Sequence, residues 1–299
     1  MPSFHMVHYA NHDDTEESRE TNTERVIMNT RVFTVEEARA LLPAVTEIVD
    51  ELRNLRVRIT ENRRRIDILE TLWGDDVRRD DNPDAEEYRR HKLDNRSLVR
   101  RFRQQSEHLD ELGCHVKDLD HGDVGFFHVR NGLAVFMAWN IGRVEREWHE
   151  EIAPNARVFS LDEARALLPH LRKVFAEFDA LNEGLVDARK ELQRLRTIGN
   201  DESFDHPDRE KTQELNDRIS RLLERGRTLE QILHDYGCQL RDFQEGLIDF
   251  FHVRDGQLVV LCWRRDESDI TAWHPFDAGY TARKPLDNGE SPNTIPTGQ

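Results

Sequence analysis

The chain has 299 residues, of which 34% are charged and 37% are hydrophobic. It contains 43 Lys and Arg and 59 Asp and Glu, so its net charge is −16. This acidic balance opposes binding to nucleic acid, and the sequence holds no apolar run of about 18 residues that could span a membrane. The three cysteines, Cys114, Cys238 and Cys262, are too few for a disulfide framework, and residues 1–30 lack the apolar core of a secretory signal. We therefore expect a reduced, cytoplasmic protein.

Residues 1–30 and 287–299 are polar and poor in apolar side chains, so we expect both segments to be disordered. Three histidines of the first segment could bind a metal adventitiously: His5, His8 and His12. Translation could start at Met1, Met6 or Met28, and these alternatives stay open.

One sequence unit occurs twice. Residues 31–43 and 157–169 are identical at ten of thirteen positions, at an offset of 126. Further matches follow in the same order: Phe126–Gly132 returns as Phe250–Gly256, and Trp148-His149 returns as Trp273-His274 after a one-residue insertion. Ordered matches of this kind indicate a tandem duplication. We define repeat 1 as residues 31–156 and repeat 2 as residues 157–286.

Each repeat opens with a helix-start signal. Thr34 and Glu37 in repeat 1, and Ser160 and Glu163 in repeat 2, have the spacing of a capping box. A proline follows two turns later in each repeat, at Pro43 and Pro169. Because proline lacks the amide donor, it predicts a kink or a restart of the helix.

A long heptad pattern follows in each repeat and predicts two helices that form an antiparallel hairpin with a coiled-coil seam. In repeat 2 the turn between them is predicted at 199–207. In repeat 1 the seam contains polar residues that can fix its register, among them Asn62, His91 and Asn95.

The period then changes from helical to extended. Gly113 and Gly237 are predicted to end the hairpins, and Asn131-Gly132 and Asp255-Gly256 are strong β-hairpin signals. A two-residue turn places Asp249 opposite Cys262. The strand 258–263 is apolar on both faces, so both should be covered, and the two β-hairpins could join as one four-stranded sheet.

We therefore predict an α+β fold of two tandem repeats, each a long helical hairpin followed by an antiparallel β-hairpin. The two repeats are expected to pack together as an intramolecular pseudo-dimer, because a linker raises the effective concentration of the second copy.

The sequence resembles a bacterial family known as domain of unknown function 2203 (DUF2203). The resemblance is carried by the Glu-Ala-x-x-Leu-Leu-Pro start, the helical hairpin and the ending Cys262-Trp263-Arg264, Trp273-His274, Asp277-x-Gly279 and Arg283-x-Pro285. Members usually hold one such unit, and the resemblance implies no activity. Repeat 1 departs from the ending, since Asn140 replaces Arg264 and no Asp-x-Gly follows.

The polar and aromatic residues of this ending form the best candidate site. Arg264 and Arg283 could bind a carboxylate or phosphate, and His274 could act as an acid or base oriented by Asp277. Two tryptophans, Trp263 and Trp273, could exclude water or stack on a ligand. The structural alternatives are a core role for Trp263, an ion pair between Arg264 and Asp277, and a turn-capping role for His274.

Other residues favour a structural interpretation. His252 and its counterpart His128 could hold a metal or ligand together, but a satisfied, half-buried histidine is the more common case. Cys262 could be a nucleophile with His274 as its base, although a buried, inert thiol is more common. Arginine runs at 63–65 and 100–103 are interspersed with acids and indicate a solvated helix surface. We predict no metal and no cofactor.

Two functions follow. The first is a non-enzymatic scaffold that binds a protein partner through its helical arms. The alternative is a site in repeat 2 for a small anionic ligand, with or without acid–base catalysis. Neither interpretation includes nucleic acid or membrane as a partner.

Overall fold

A computed structural model describes residues 28–142, 147–198 and 206–286. The chain forms two compact units, one built mainly from repeat 1 and the other mainly from repeat 2. Residues 1–27, 287–299 and most of the turn predicted at 199–207 lie outside the described residues. Among the described helices, none has both the length and the apolar character that crossing a membrane would require.

The first helical hairpin is built from α1 (Val35–Trp73), a 3-10 helix (Gly74–Arg78) and α2 (Ala85–Glu111). The predicted capping box is confirmed: the Glu37 amide donates to Oγ1 of Thr34, and the Thr34 amide donates to the Glu37 carboxylate. Of the two alternatives predicted at Pro43, a kink or a restart, the restart is wrong, because α1 continues through the proline. Proline removes one hydrogen bond of the helix, and the buried seam on either side holds the helix together.

The seam of this hairpin follows the heptad pattern. Its apolar positions are buried on both helices: Val45, Ile48, Leu52, Leu55, Ile59, Ile66 and Leu69 on α1, and Tyr88, Leu98, Phe102 and Leu109 on α2. At one polar level, Nδ1 of His91 lies 2.7 Å from Oδ1 of Asn62. This polar contact inside the seam favours one register of the two helices.

The second hairpin consists of α3 (Leu161–Ile198) and α4 (His206–Tyr236). Its capping box, between Ser160 and Glu163, is also confirmed. Helix α3 continues through Pro169, so the predicted restart is wrong here as well.

Each hairpin leads into an antiparallel sheet. The first sheet has the order β1-β2-β3-β4, formed by His115–Asp118, Asp123–Arg130, Leu133–Asn140 and Trp148–Glu151. The second has the order β5-β6-β7-β8-β9, formed by Gln239–Asp242, Leu247–Arg254, Gln257–Arg264, Ala272–Pro275 and Lys284–Pro285.

The prediction that the two β-hairpins join as one four-stranded sheet is therefore wrong. Each hairpin is flanked instead by short strands of its own repeat, which occupy the edges to which a second hairpin would bind. These short strands have only two to four residues, which is too few for a periodic sequence signal.

The hairpin turns and their register are as predicted. Asn131 and Asp255 have φ of 53° and 50°, and the glycine after each also has positive φ, as a type I′ turn requires. In the second sheet, Arg254 pairs with Gln257 and Asp249 pairs with Cys262. The six central residues of β2, β3, β6 and β7 are all buried, which confirms that both strand faces are covered.

A buried histidine connects helix and sheet in each repeat. Nδ1 of His128 lies 2.8 Å from the Phe33 carbonyl oxygen, and Nδ1 of His252 lies 2.7 Å from the Phe159 carbonyl oxygen. In the same places the Phe33 amide donates to the Phe127 carbonyl and the Phe159 amide donates to the Phe251 carbonyl. These bonds fix the start of α1 against β2 and the start of α3 against β6.

From the core of repeat 2 we predict that two substitutions differ sharply in their effect on the free energy of unfolding. Phe250 is fully buried and packs edge-on against Phe159, with ring centroids 5.2 Å apart. We expect Phe250→Ala to lower the free energy of unfolding by about 3–5 kcal/mol, because it removes a large buried ring and leaves a cavity. Urea denaturation measures the free energy of unfolding of both proteins. Leu240→Ala, at an exposed position of β5, is the control and should cost less than about 0.5 kcal/mol; equal losses would contradict this account of the core.

Candidate functional site

The two arginines of the predicted site are paired within repeat 2. Arg264 ends β7 and donates to both carboxylate oxygens of Asp266, at 2.6 and 2.8 Å. This pair, rather than one with Asp277, occupies its guanidinium group. The side chain of Arg264 is half-buried and stacks over the ring of Tyr280, 5.7 Å from the centroid.

Arg283 is bound in a similar way. Its Nη2 atom lies 2.7 Å from Oε1 of Glu267 and also donates to the carbonyl oxygen of Cys262 at 3.3 Å. The guanidinium lies 4.7 Å from the centroid of Tyr280, on whose ring Arg264 also stacks. The two arginines thus share one aromatic ring and each is paired with its own carboxylate, while Nε of Arg283 is buried without a hydrogen-bond partner among the described residues.

The tryptophans take structural positions. Trp263 is fully buried in the core between β7 and the helices, and its indole N–H donates to the carbonyl oxygen of Glu267 at 3.1 Å. Trp273 is half-buried, with Arg254 and Lys284 at 4.9 and 5.1 Å from its ring centroid. Both rings are covered by groups of repeat 2.

The structure does bring His274 close to Cys262, through a strand that the sequence did not predict. Strand β8 pairs with β7, so that Ala272 lies opposite Cys262 and His274 lies opposite Val260. Cys262 in turn pairs with Asp249. Because side chains two residues apart point to the same face, the side chains of Asp249, Cys262 and His274 share one face of the sheet.

We refer to Asp249, Cys262 and His274 as the Asp–Cys–His cluster. Their exposed fractions are 3%, 0% and 2%, and one ligand atom from each lies within 4.8 Å of the others. Nδ1 of His274 lies 2.8 Å from the carbonyl oxygen of Pro275, and Nε2 lies 3.6 Å from Oδ1 of Asp249. Thus the ring nitrogens of His274 face Pro275 and Asp249 rather than Asp277.

The cluster does not have the properties of a nucleophilic site. Burial, and after it the negative charge of Asp249, raises the pKa of the Cys262 thiol to about 12. A thiol with so high a pKa is protonated at neutral pH, whereas a catalytic cysteine needs its thiolate form. Cys114 and Cys238 are also free and buried, and burial raises their thiol pKa as well.

A second concave surface, which we call the arm groove, lies between α1 and α2. It has a volume of about 720 Å³. Six cations line it: Arg63, Arg78, Lys92, Arg96, Arg100 and Arg103. Three acids also line it: Asp67, Glu70 and Asp75.

Because neighbouring residues of a helix point in different directions, only some arginines of the runs 63–65 and 100–103 line the arm groove. Arg65 and Arg101 point away from the arm groove and pair with Glu87 and Glu51, whereas Arg63, Arg100 and Arg103 line it. Within the described part of the chain, no ion pair involves Arg63, Arg96, Arg100 or Arg103, whereas Lys92 lies 3.7 Å from Glu70.

The model of one protein family matches the chain twice. It is described as "Uncharacterized conserved protein (DUF2203)", and it matches residues 31–154 and 157–286. The chain belongs to the DUF2203 family. The two matches confirm the tandem duplication and cover nearly all of both repeats. No curated protein and no solved structure matches the chain.

In this tandem DUF2203 chain, sequence reasoning found part of the Asp–Cys–His cluster. The β-hairpin turn correctly placed Asp249 opposite Cys262, but His274 joins them only through β8, a four-residue strand that ends in proline. The carboxylates that bind the two arginines were also missed. Asp266 and Glu267 follow β7 directly, so their closeness in sequence to Arg264 was the available signal.

From the burial of His252 in this DUF2203 chain we predict how the free energy of unfolding depends on pH. Burial lowers the pKa of His252 below its ordinary value of 6.5. As pH falls below about 6.5, the unfolded chain binds a proton that the folded chain does not, so the free energy of unfolding decreases. We expect His252→Asn to reduce this decrease, because an asparagine amide can still donate to the Phe159 carbonyl and does not titrate.

Urea denaturation at about pH 7.5 and about pH 5.5 measures the effect. His108→Asn, on the exposed surface of α2, is the matched control. A decrease that is the same in the wild type and in His252→Asn would show that His252 is not responsible.

Proposed function

We propose that this protein is a non-enzymatic binding protein, and that the helical hairpin of repeat 1 binds an acidic segment of a protein partner. The observation that carries the proposal is the arm groove, in which four arginines have no ion-pair partner among the described residues. The alternative, an anion site at the end of repeat 2, finds no support, because Arg264 and Arg283 are paired with Asp266 and Glu267.

The spacing of the arginines suits an extended anionic partner. Arg96, Arg100 and Arg103 lie at i, i+4 and i+7 on α2, so they form one stripe on the helix. Arg63 faces them from α1 across the groove. Guanidinium groups bind carboxylates through paired hydrogen bonds, and a row of them can bind several carboxylates of one chain.

Two features favour a peptide over a nucleic acid. Asp67, Glu70 and Asp75 also line the groove, where they would repel a continuous phosphate backbone but could pair with basic residues of a peptide. No aromatic side chain lines the groove, whereas single-stranded nucleic acids are commonly bound by stacking of bases on aromatic rings.

We further propose that the seam of each arm is a coiled coil and that the protein is cytoplasmic, which its three free cysteines support. The intramolecular association of repeat 1 with repeat 2 stays a prediction from the duplication.

Charge reversal in the arm groove tests the function. We expect the wild-type protein to bind a labelled poly-L-glutamate peptide with an affinity that falls as salt is added. The triple variant Arg96→Glu, Arg100→Glu, Arg103→Glu should bind at least about tenfold more weakly, because attraction becomes repulsion. Fluorescence anisotropy measures the binding, and circular dichroism confirms the helical content.

The matched control is the triple variant Arg58→Glu, Arg64→Glu, Arg90→Glu, which changes the net charge equally at exposed positions outside the groove. It should retain most of the affinity. Equal losses in both variants, or tighter binding of poly-uridylate than of poly-L-glutamate, would contradict the proposal.

A further inference from the structure

The hydrogen bonds of the Asp–Cys–His cluster leave one buried acceptor atom beside a ring nitrogen of His274. Nδ1 of His274 donates to the Pro275 carbonyl, so Nε2 is the ring nitrogen that faces Asp249. Oδ1 of Asp249, 3.6 Å away, is buried and accepts no hydrogen bond from the described residues. The Cys262 thiol lies within 4.8 Å of a ligand atom of both residues and carries only one proton to donate.

Arg241 supplies a charge partner for Asp249, but the unpaired Oδ1 still carries a cost. A buried carboxylate oxygen without a partner loses its hydration and gains nothing in return. Oδ2 of Asp249 accepts a hydrogen bond from Nε of Arg241 at 2.7 Å, but this contact leaves Oδ1 without a hydrogen-bond partner among the described residues. A metal ion would bind Oδ1, Nε2 of His274 and the sulfur atom of Cys262 together.

The distance between Nε2 of His274 and Oδ1 of Asp249 suits two ligands of one ion, and Sγ of Cys262 lies within 4.8 Å of a ligand atom of each residue. Zinc binds nitrogen and oxygen at about 2.0–2.2 Å and sulfur at about 2.3 Å, so two ligands of a tetrahedral ion lie roughly 3.3–3.8 Å apart. The 3.6 Å between Nε2 of His274 and Oδ1 of Asp249 falls in this range and is too long for a hydrogen bond.

The groups behind the ligands are also those of a metal site. A histidine that binds a metal usually donates its other ring N–H to a carbonyl or carboxylate, as His274 does to Pro275. A carboxylate ligand is usually held by a further hydrogen bond, as Asp249 is by Arg241. The set of one thiolate, one imidazole and one carboxylate favours zinc over magnesium or calcium, which prefer oxygen ligands.

Repeat 1 serves as an internal comparison, since it has the same fold without the cluster. Gly125 and Ala138 occupy the positions of Asp249 and Cys262. A Cβ added to Gly125 would lie 2.4 Å from the Phe136 ring, which leaves no space for a carboxylate there. His149 pairs with Met137, a register one residue away from that of His274, and this shift moves its side chain to the other face of the sheet.

We propose that repeat 2 binds one zinc ion through Asp249, Cys262 and His274, and that repeat 1 binds none at the corresponding positions. The ion joins three adjacent strands, β6, β7 and β8. Because all three ligands are at most 3% exposed, the ion stabilises the sheet and is not open to a large substrate. Metal bound only by the folded state adds its binding free energy to folding.

Metal analysis of the full chain tests the proposal. After dialysis against trace zinc, elemental analysis should find about one zinc per chain, and removal by a chelator should lower Tm by at least about 4 °C. Cobalt in place of zinc should give a thiolate-to-metal charge-transfer band. Cys262→Ala and Asp249→Asn should each reduce bound zinc to about a tenth and abolish the cobalt band.

The control is Cys238→Ala, which also removes a buried thiol of repeat 2 but should keep zinc and the cobalt band. Cys262→Ala introduces the residue that repeat 1 carries at the same position, so the fold should tolerate it. Zinc bound without a cobalt–thiolate band would place the metal at other residues, such as His5, His8 and His12, and would overturn the proposal. A wild-type chain that retains no zinc and whose Tm does not respond to zinc would also overturn it.

Discussion

The constraint on which each repeat depends is the attachment of its first helix to the second strand of its sheet, β2 in repeat 1 and β6 in repeat 2. The residue before the capping box, Phe33 or Phe159, exchanges backbone and side-chain hydrogen bonds with that strand through His128 or His252. The same phenylalanine places its ring against Phe126 or Phe250 in the core. The capping box then starts the helix at a fixed point above the sheet, so the duplicated histidines are explained by architecture rather than by a shared metal.

The parts of the fold that depend on local chemistry could be predicted from the sequence. The capping boxes, the glycines that end the hairpins and the type I′ turns at Asn131 and Asp255 each need only a few neighbouring residues. The flanking strands could not be predicted, because they are short and are defined by the strands beside them. At Pro43 the sequence left a kink and a restart of α1 open, and the helix does not restart there because tertiary packing supports it against the local propensity.

In the candidate site, too, the features set by neighbouring residues could be predicted and those set by tertiary packing could not. A two-residue turn fixed the register of β6 and β7, so the pairing of Asp249 with Cys262 followed from the sequence. The position of His274 depended on β8, and the repeat itself was misleading here. Trp148-His149 and Trp273-His274 align in sequence, yet their strands pair one residue apart, so the two histidines face opposite sides of their sheets. Similarity between repeats therefore predicted the fold better than it predicted the site.

The difference between the repeats bears on why the Asp–Cys–His cluster exists. Repeat 1 builds the same sheet with Gly125, Ala138 and the ring of Phe136 in this region, so the fold does not need a buried carboxylate there. An apolar replacement would avoid the cost of burying Asp249, since removing every member of a buried polar group is often neutral or stabilising. Repeat 2 nevertheless carries an aspartate, a thiol and an imidazole, together with an arginine that positions the carboxylate. Arg241 offsets part of this cost through its ion pair with Asp249, and a metal ion bound to Oδ1, which has no hydrogen-bond partner among the described residues, would offset the rest.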